Sequence, residues 1–256
     1  MPKSKNPVIA DNQQGKHLSY VVGVYFGDGM VSLNHGGVEA KFFRLEVIDK
    51  DFRDHTAYCC EVAFTDHTAT SFETIKDGKK YYGLQVRGIG NYIESITGKR
   101  RFVPNFIYKN DENKKAFVEG LIDSEGWIQL QAGKNGSVFR GHIGFAITSE
   151  VIYELTKILA QIGVKYGKIG TYTKNRKKAL KNISINVPSF INAGLKFHIA
   201  RKQERVEKFR LIQEIIGTTR KERCSFREQN PGLVQRMVCS ELHGDVKRAA
   251  EMPAPA

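Results

Sequence analysis

From Phe43 to Val47, Phe43, Leu45 and Val47 fall on one side of an extended chain while Arg44 and Glu46 fall on the other. That period of two predicts a strand with one buried and one wet face. The alternation returns at Tyr82, Leu84 and Val86 against Gln85 and Arg87, and at Ile128 and Leu130 against Gln129 and Gln131. It returns again at Ile143, Phe145 and Ile147 against His142 and Gly144, and at Ile183, Ile185 and Val187 against Asn182, Ser184 and Asn186. Further strands are expected at Met30–Leu33 and Gly167–Thr173. Asn/Gly turn signals at Asn34-His-Gly-Gly37, Asp77-Gly78 and Asn135-Gly136 predict hairpins. Helical stretches are expected at residues 50–64, 89–96, 149–162 and 201–216.

The pattern occurs twice. Tyr20-Val-Val-Gly-Val-Tyr-Phe-Gly-Asp-Gly29 matches Phe117-Val-Glu-Gly-Leu-Ile-Asp-Ser-Glu-Gly126, each position lying 97 residues from its partner. Gly23 maps to Gly120, Gly27 to Ser124, Asp28 to Glu125 and Gly29 to Gly126. Each copy opens the order α-β-β-α-β-β-α. The fold class is therefore α+β, a duplicated domain rather than a solenoid. The expected boundaries are an N-terminal stub (1–15), a first repeat (16–104), a second repeat (105–216) and a C-terminal basic extension (217–256). The extension is polar, contains Pro231, ends Met-Pro-Ala-Pro-Ala and is expected to form an added helix and a loose tail.

Gly23 and Gly27 are four apart, as are Gly120 and Ser124, so each motif helix carries a stripe of very small side chains. Two such stripes let helix backbones approach closely, because interaxial distance follows the side chains at the contact. The acidic residue follows the stripe, and the next glycine is the expected C-cap. Stripe against stripe would bring Asp28 and Glu125 together at two helix C-termini. Carboxylates are unfavourable there and beside each other, so a divalent cation is the natural compensation. Few, hard oxygen ligands with room left for water and phosphate suit Mg2+, with Mn2+ or Ca2+ able to substitute.

Composition narrows the partner. Of 256 residues, 41% are hydrophobic and 26% charged, which excludes a disordered or collagen-like chain. No apolar run approaches the roughly 18 residues of a membrane helix, and the polar N-terminus lacks a signal-peptide core. Four cysteines without CxxC or zinc spacing then read as reduced thiols, and an intracellular location is expected, its compartment left open. The net charge is +13, and it is unevenly spread. Residues 1–112 hold 15 basic and 14 acidic side chains, residues 113–256 hold 25 and 13. Between Leu155 and Gln203 eleven basic residues stand with no acidic one, a one-signed stretch suited to successive phosphates.

Both motif segments resemble the LAGLIDADG motif of the homing endonuclease family, and the duplicated order resembles its single-chain, two-repeat members. The resemblance covers roughly residues 16–216. It departs from the family's spelling at Phe26 and Glu125, where the motif name has Asp. It implies two curved antiparallel sheets forming a saddle over double-stranded DNA with a long target site, in a chain that works as a monomer. It implies that Asp28 and Glu125 bind catalytic metal, with the peptide oxygens of Gly27 and Ser124 as auxiliary ligands. The reaction implied is hydrolysis of one phosphodiester per strand, with water activated and charge stabilised by metal.

A basic residue from each half usually assists in that family. The candidates are Lys99 to Arg101, and Arg201 or Lys202; Lys99, Arg101 and Lys202 are carried as catalytic candidates. Asp49 and Ser149, beyond the second strand of each repeat, are the candidates for ordering water. The wet strand faces supply the expected base contacts: Arg44, Glu46, Gln85, Arg87, Gln129, Gln131, Arg140, His142, Asn182, Ser184 and Asn186. Asn, Gln and Arg can make paired hydrogen bonds to purine edges. Lys174, Arg176, Lys177 and Lys178 fit a hairpin loop that grips phosphates.

Trp127 is expected to pack at a helix-to-strand corner. The seven histidines show no metal-ligand spacing, and Asp66-His67 near Cys59-Cys60 is read as coincidence. Two other functions stay open beside the endonuclease: an intron RNA maturase of the same fold, and a DNA-binding regulator that has lost catalysis. Retention of both acids counts against the regulator, since a binder gains nothing from paired carboxylates facing phosphate.

Overall fold

The computed structural model describes residues 12–33, 41–132, 139–148, 150–172, 180–217, 220–230 and 232–239. The first repeat runs α1 (Asn12–Phe26), β1 (Met30–Leu33), β2 (Lys41–Val47), α2 (Lys50–Ala63), β3 (Ala69–Lys76), β4 (Lys79–Arg87) and α3 (Gly90–Thr97). A 3-10 turn at Asn105–Lys109 leads into the second: α4 (Asp111–Glu125), β5 (Trp127–Ala132), β6 (Phe139–Thr148), α5 (Ile152–Gln161), β7 (Gly170–Tyr172), β8 (Leu180–Asn186) and α6 (Val187–Asn192). Three more helices follow: α7 (Ala200–Ile216), α8 (Arg220–Gln229) and α9 (Leu233–Cys239).

The strands form two four-stranded antiparallel sheets, ordered β1-β2-β4-β3 and β5-β6-β8-β7. Register follows the period-two pattern. Phe43 faces Val86 and Leu45 faces Leu84 on the buried side, while Arg44 faces Gln85 on the other. In the second sheet Ile143 faces Ile185 and Phe145 faces Ile183 inside, with His142 opposite Asn186 outside. The turn joining β3 to β4 has Asp77 at φ 52° and Gly78 at φ 72°. Those are the left-handed conformations of a two-residue type I′ hairpin, which Asp-Gly favours.

The closing helix of the second repeat differs from expectation. Asn186 ends β8, and its side chain accepts from the Ser189 amide at 2.7 Å, starting α6 with Pro188 in its first turn. This short helix, not residues 201–216, is the counterpart of α3; α7 is additional. Local capping chemistry decided it. Of the strand expected at Gly167–Thr173, Gly170–Tyr172 form β7, Gly167 to Ile169 precede it, and Thr173 lies outside the described residues.

One apolar core runs through both repeats and is threaded by α1 and α4. These helices meet almost backbone to backbone. A Cβ built on Gly23 would lie 2.2 Å from the Phe117 carbonyl oxygen, and one on Gly120 would lie 2.2 Å from that of Tyr20. The stripe is needed for space. The same holds for Gly126, whose backbone is extended (φ −80°) rather than left-handed and whose Cβ would meet the Ile122 carbonyl at 2.3 Å. The motif glycine is thus the C-cap of α4 that the sequence predicts, its amide donating to the Ile122 carbonyl at 2.9 Å, but in an extended conformation that leaves no room for a Cβ. A smaller apolar cluster docks α9 and α7 together through Ile212, Ile216, Leu233, Val234 and Met237. Among the described residues no helix is long and apolar enough to cross a membrane.

Candidate active site

The glycine-packed helices deliver their acidic ends to one place. A Cβ on Gly27 would meet Ser124 Cβ at 2.3 Å and Glu125 Cγ at 3.0 Å, and the Asp28 amide donates to Ser124 Oγ at 3.3 Å. Ser124 Oγ in turn donates to the Val24 carbonyl at 3.4 Å. Asp28 and Glu125 thus emerge side by side where the two repeats join. The Asp28 side chain is exposed, yet the protein around it still raises its pKa by desolvation; the charges of Lys202 and Arg100 oppose that rise.

Both basic groups are held by backbone. Lys202 is buried, and its Nζ donates to the carbonyls of Ile122 (3.2 Å) and Asp123 (2.6 Å) at the end of α4. A cation on those orphan carbonyls satisfies the helix C-terminus. Burial lowers the Lys202 pKa, while Asp123, Asp49 and Asp28 pull it upward. Arg100 donates to the Gly29 carbonyl, and its guanidinium stands 4.6 Å from the centre of the Tyr25 ring. It reaches there because Gly98, Lys99 and Arg100 are all left-handed, with φ of 53°, 57° and 70°. A strained turn at such a point is a functional signal.

Of the sequence candidates, the structure brings Asp28, Glu125, Gly27, Ser124 and Lys202 together. Lys99 and Arg101 are exposed, and the charge acting on Asp28 from that turn is Arg100, between them. Asp49 accepts two hydrogen bonds from Arg201, at 2.6 and 2.7 Å, tying the start of α2 to the start of α7. Asp51 reinforces the tie by accepting from the Ala200 amide. Ser149 lies outside the described residues, as do Lys174, Arg176, Lys177 and Lys178.

The two outer sheet faces hold the remaining candidates. Gln129 stands opposite His142 and Gln131 opposite Arg140, with Asn182, Ser184 and Asn186 continuing that face. In the first sheet Arg44, Gln85, Arg87 and Glu46 share one face. Two of these are engaged within the protein. Glu46 accepts from Lys76 at 2.6 Å and Thr74 at 2.9 Å, which holds its pKa down, and Asn186 caps α6. Arg44 Nε and Ser32 Oγ are buried without a hydrogen-bond partner among the described residues. Trp127 does pack, against Gly144, but on this outer face, where it is 48% exposed.

Among the described residues no three His, Cys, Asp or Glu side chains gather around a metal-sized centre. The donor set at the helix ends is two carboxylates and nearby carbonyls. That set fits a hard cation which keeps water and phosphate oxygens as its other ligands.

A second polar cluster lies toward the opposite end of α1 and α4. A cavity of about 700 Å3 is lined by His17, Tyr20, His55, Cys59, Glu119 and His198 among others. Cys59 Sγ is 3.4 Å from His17 Nδ1 and 3.5 Å from His55 Nε2, and the His55 and His198 rings stack at 3.7 Å. Burial lowers the His55 pKa to about 3, helped by His198 and Lys196, and pushes the Cys59 thiol up. Asp123 closes the network, accepting from Tyr20 Oη (2.8 Å) and the His198 amide (3.1 Å). The sequence signal for it was Asp123 itself, an acid four residues after Glu119 on the motif helix, at the place where the first motif has Phe26.

Comparison with solved structures gives the fold a precedent. The structure of I-DmoI in complex with DNA and Ca superimposes with a TM-score of 0.50 over 78% of this chain and 100% of that one, at 14% identity. The fold is LAGLIDADG-like. Its two sheets and paired motif helices form the two-repeat saddle. The LAGLIDADG homing endonuclease I-GzeII in complex with its DNA target matches at a TM-score of 0.47 and 13% identity, covering 82% of this chain and 96% of that one. Full-length WhiA (DUF199) from Thermatoga maritima matches at 0.49 and 14%, covering 89% and 70%. No family model and no curated protein matches the sequence. At these identities the LAGLIDADG likeness speaks for the fold alone.

Proposed function

We propose that the protein is a site-specific double-strand DNA endonuclease that works as a monomer, with one motif from each repeat supplying an acid. The observation that carries this reading is the pairing of Asp28 and Glu125 at the touching C-terminal ends of α1 and α4, where like charge and the helix dipoles both act against two carboxylates. Its support from likeness is that I-DmoI, of the same fold, was solved with DNA and Ca.

Asp28 and Glu125, with the peptide oxygens of Gly27 and Ser124, would hold the divalent cation, Mg2+ in the first place. When bound, such an ion lowers the pKa of water and offsets charge on phosphate and leaving oxygen. The chain's own residues do the rest. The charges of Lys202 and Arg100 oppose the rise that desolvation gives the Asp28 pKa, and would present positive charge beside the scissile phosphate. Arg201 and Asp49 lock α7 to α2, so Lys202 stays at the end of α4. The outer sheet faces would hold the duplex on either side.

The test is a binding selection from a random duplex library, followed by cleavage of the recovered duplex in Mg2+. Asp28→Asn and Glu125→Gln should each abolish cleavage and leave binding intact. Wild-type cleavage by both variants would remove the acids from the mechanism. Binding should weaken with salt at a log–log slope of about −0.9 per phosphate contacted. Binding without cleavage by the wild type would favour the regulator, and preference for intron RNA over every duplex would favour the maturase.

A further inference from the structure

Trp127 opens β5 two residues after Glu125, so its Cα lies within about 7 Å of the acid's. Ile128 is buried, and the alternation of the strand turns Trp127 outward with Gln129 and Gln131. The indole covers Gly144 on the neighbouring strand, where a Cβ would come within 2.4 Å of Cζ2 and 2.5 Å of Cε2. Gly144 thus makes the room in which the ring sits. Among the described residues no acceptor meets the indole N–H. The matching pair in the first repeat is Met30 and Arg44. Arg44 offers a fork of donors at that place; the second repeat offers an apolar ring with a single donor.

We propose that Trp127 is a specificity-determining DNA contact next to the cleavage centre. It meets one base pair of the second half-site through its apolar ring, favouring a thymine methyl, where the first repeat uses Arg44. The inference rests on the endonuclease reading and sharpens it, because it makes the two half-sites chemically unlike at equivalent positions.

Trp127 is the sole tryptophan of the chain, so its fluorescence reports on this position alone. The full chain is titrated with the duplex recovered by the selection above, in Ca2+, and acrylamide quenching is measured with and without DNA. DNA should reduce quenching several-fold. Trp127→Ala should weaken binding about tenfold and relax preference at one base pair, with Trp127→Phe restoring most of both. Far-ultraviolet circular dichroism checks that the variants keep the fold. If the duplex binds while acrylamide still reaches the indole and Trp127→Ala binds as tightly, the inference is overturned and the endonuclease reading stands. If no duplex is recovered, that reading falls and this inference falls with it.

Discussion

In the first sheet Arg44 faces Gln85 across the outer surface; at the matching place in the second, Gly144 faces Ser184 beneath the indole of Trp127. A similar contrast runs beneath the sheets. Aligned on Thr56 and Thr156, which each bond back to their own helix, α2 presents His55 and Cys59 where α5 presents Leu155 and Leu159. The second repeat has an apolar layer where the first has a polar network. Where the helices themselves touch, the repeats hardly differ: Gly23 answers Gly120 and Gly27 answers Ser124. A shared backbone path needs identical chemistry only where backbones meet. Elsewhere the halves are free to diverge, as an asymmetric target would require.

The hardest blow to this comparison comes at the shared interface. Gly23→Ala and Gly120→Ala each push a methyl into a backbone carbonyl that cannot move aside, and should cost about 3 kcal/mol or more in urea unfolding. Tolerance of either would show that the near-symmetry of the contact is not enforced. Next in size, Lys202→Met should slow single-turnover cleavage about 100-fold with little change in Kd, as loss of a preorganised charge does. An equal loss in Arg100→Met would show that the two halves assist alike through different residues.

A smaller effect concerns the polar network. His55 has its pKa lowered to about 3, whereas in the unfolded chain it titrates near 6.5. Between those values the unfolded state binds a proton that the native state refuses, so stability falls as pH falls through that window. The slope from this group is at most about 1.4 kcal/mol per pH unit, and less because His55 is only partly buried. His55→Leu, which installs the second repeat's residue, should flatten urea midpoints measured from pH 7 to pH 4. An unchanged slope would assign the acid sensitivity to other groups. Smallest of all, Lys99→Gly relieves a left-handed backbone and should raise stability by about 0.5–1 kcal/mol in thermal unfolding.

Much of this was readable in the chain. Hairpins follow from alternation, and the paired acids follow from a motif that occurs twice at a constant spacing. Trp127 was half readable: parity with Ile128 already placed it on the wet face, though nothing showed the glycine beneath it. Arg100 could not be separated from Lys99 and Arg101, because three consecutive left-handed residues decide which side chain turns back toward Gly29. The network of Tyr20, Asp123 and His198 was hidden for another reason. Its members are 103 and 75 residues apart, and no local pattern encodes such a contact.

By itself, the sequence determined most of the strands and helices, the short α6 excepted, that there are two equivalent units, and that two acids end the two closest-packed helices. Period, turn chemistry and small side chains act locally, and they are legible wherever they occur. Only the tertiary structure decided what surrounds those acids: Lys202 arriving from α7, Arg100 from a strained turn, and the tie between Asp49 and Arg201 that holds one against the other half. Those placements depend on how distant segments share a volume.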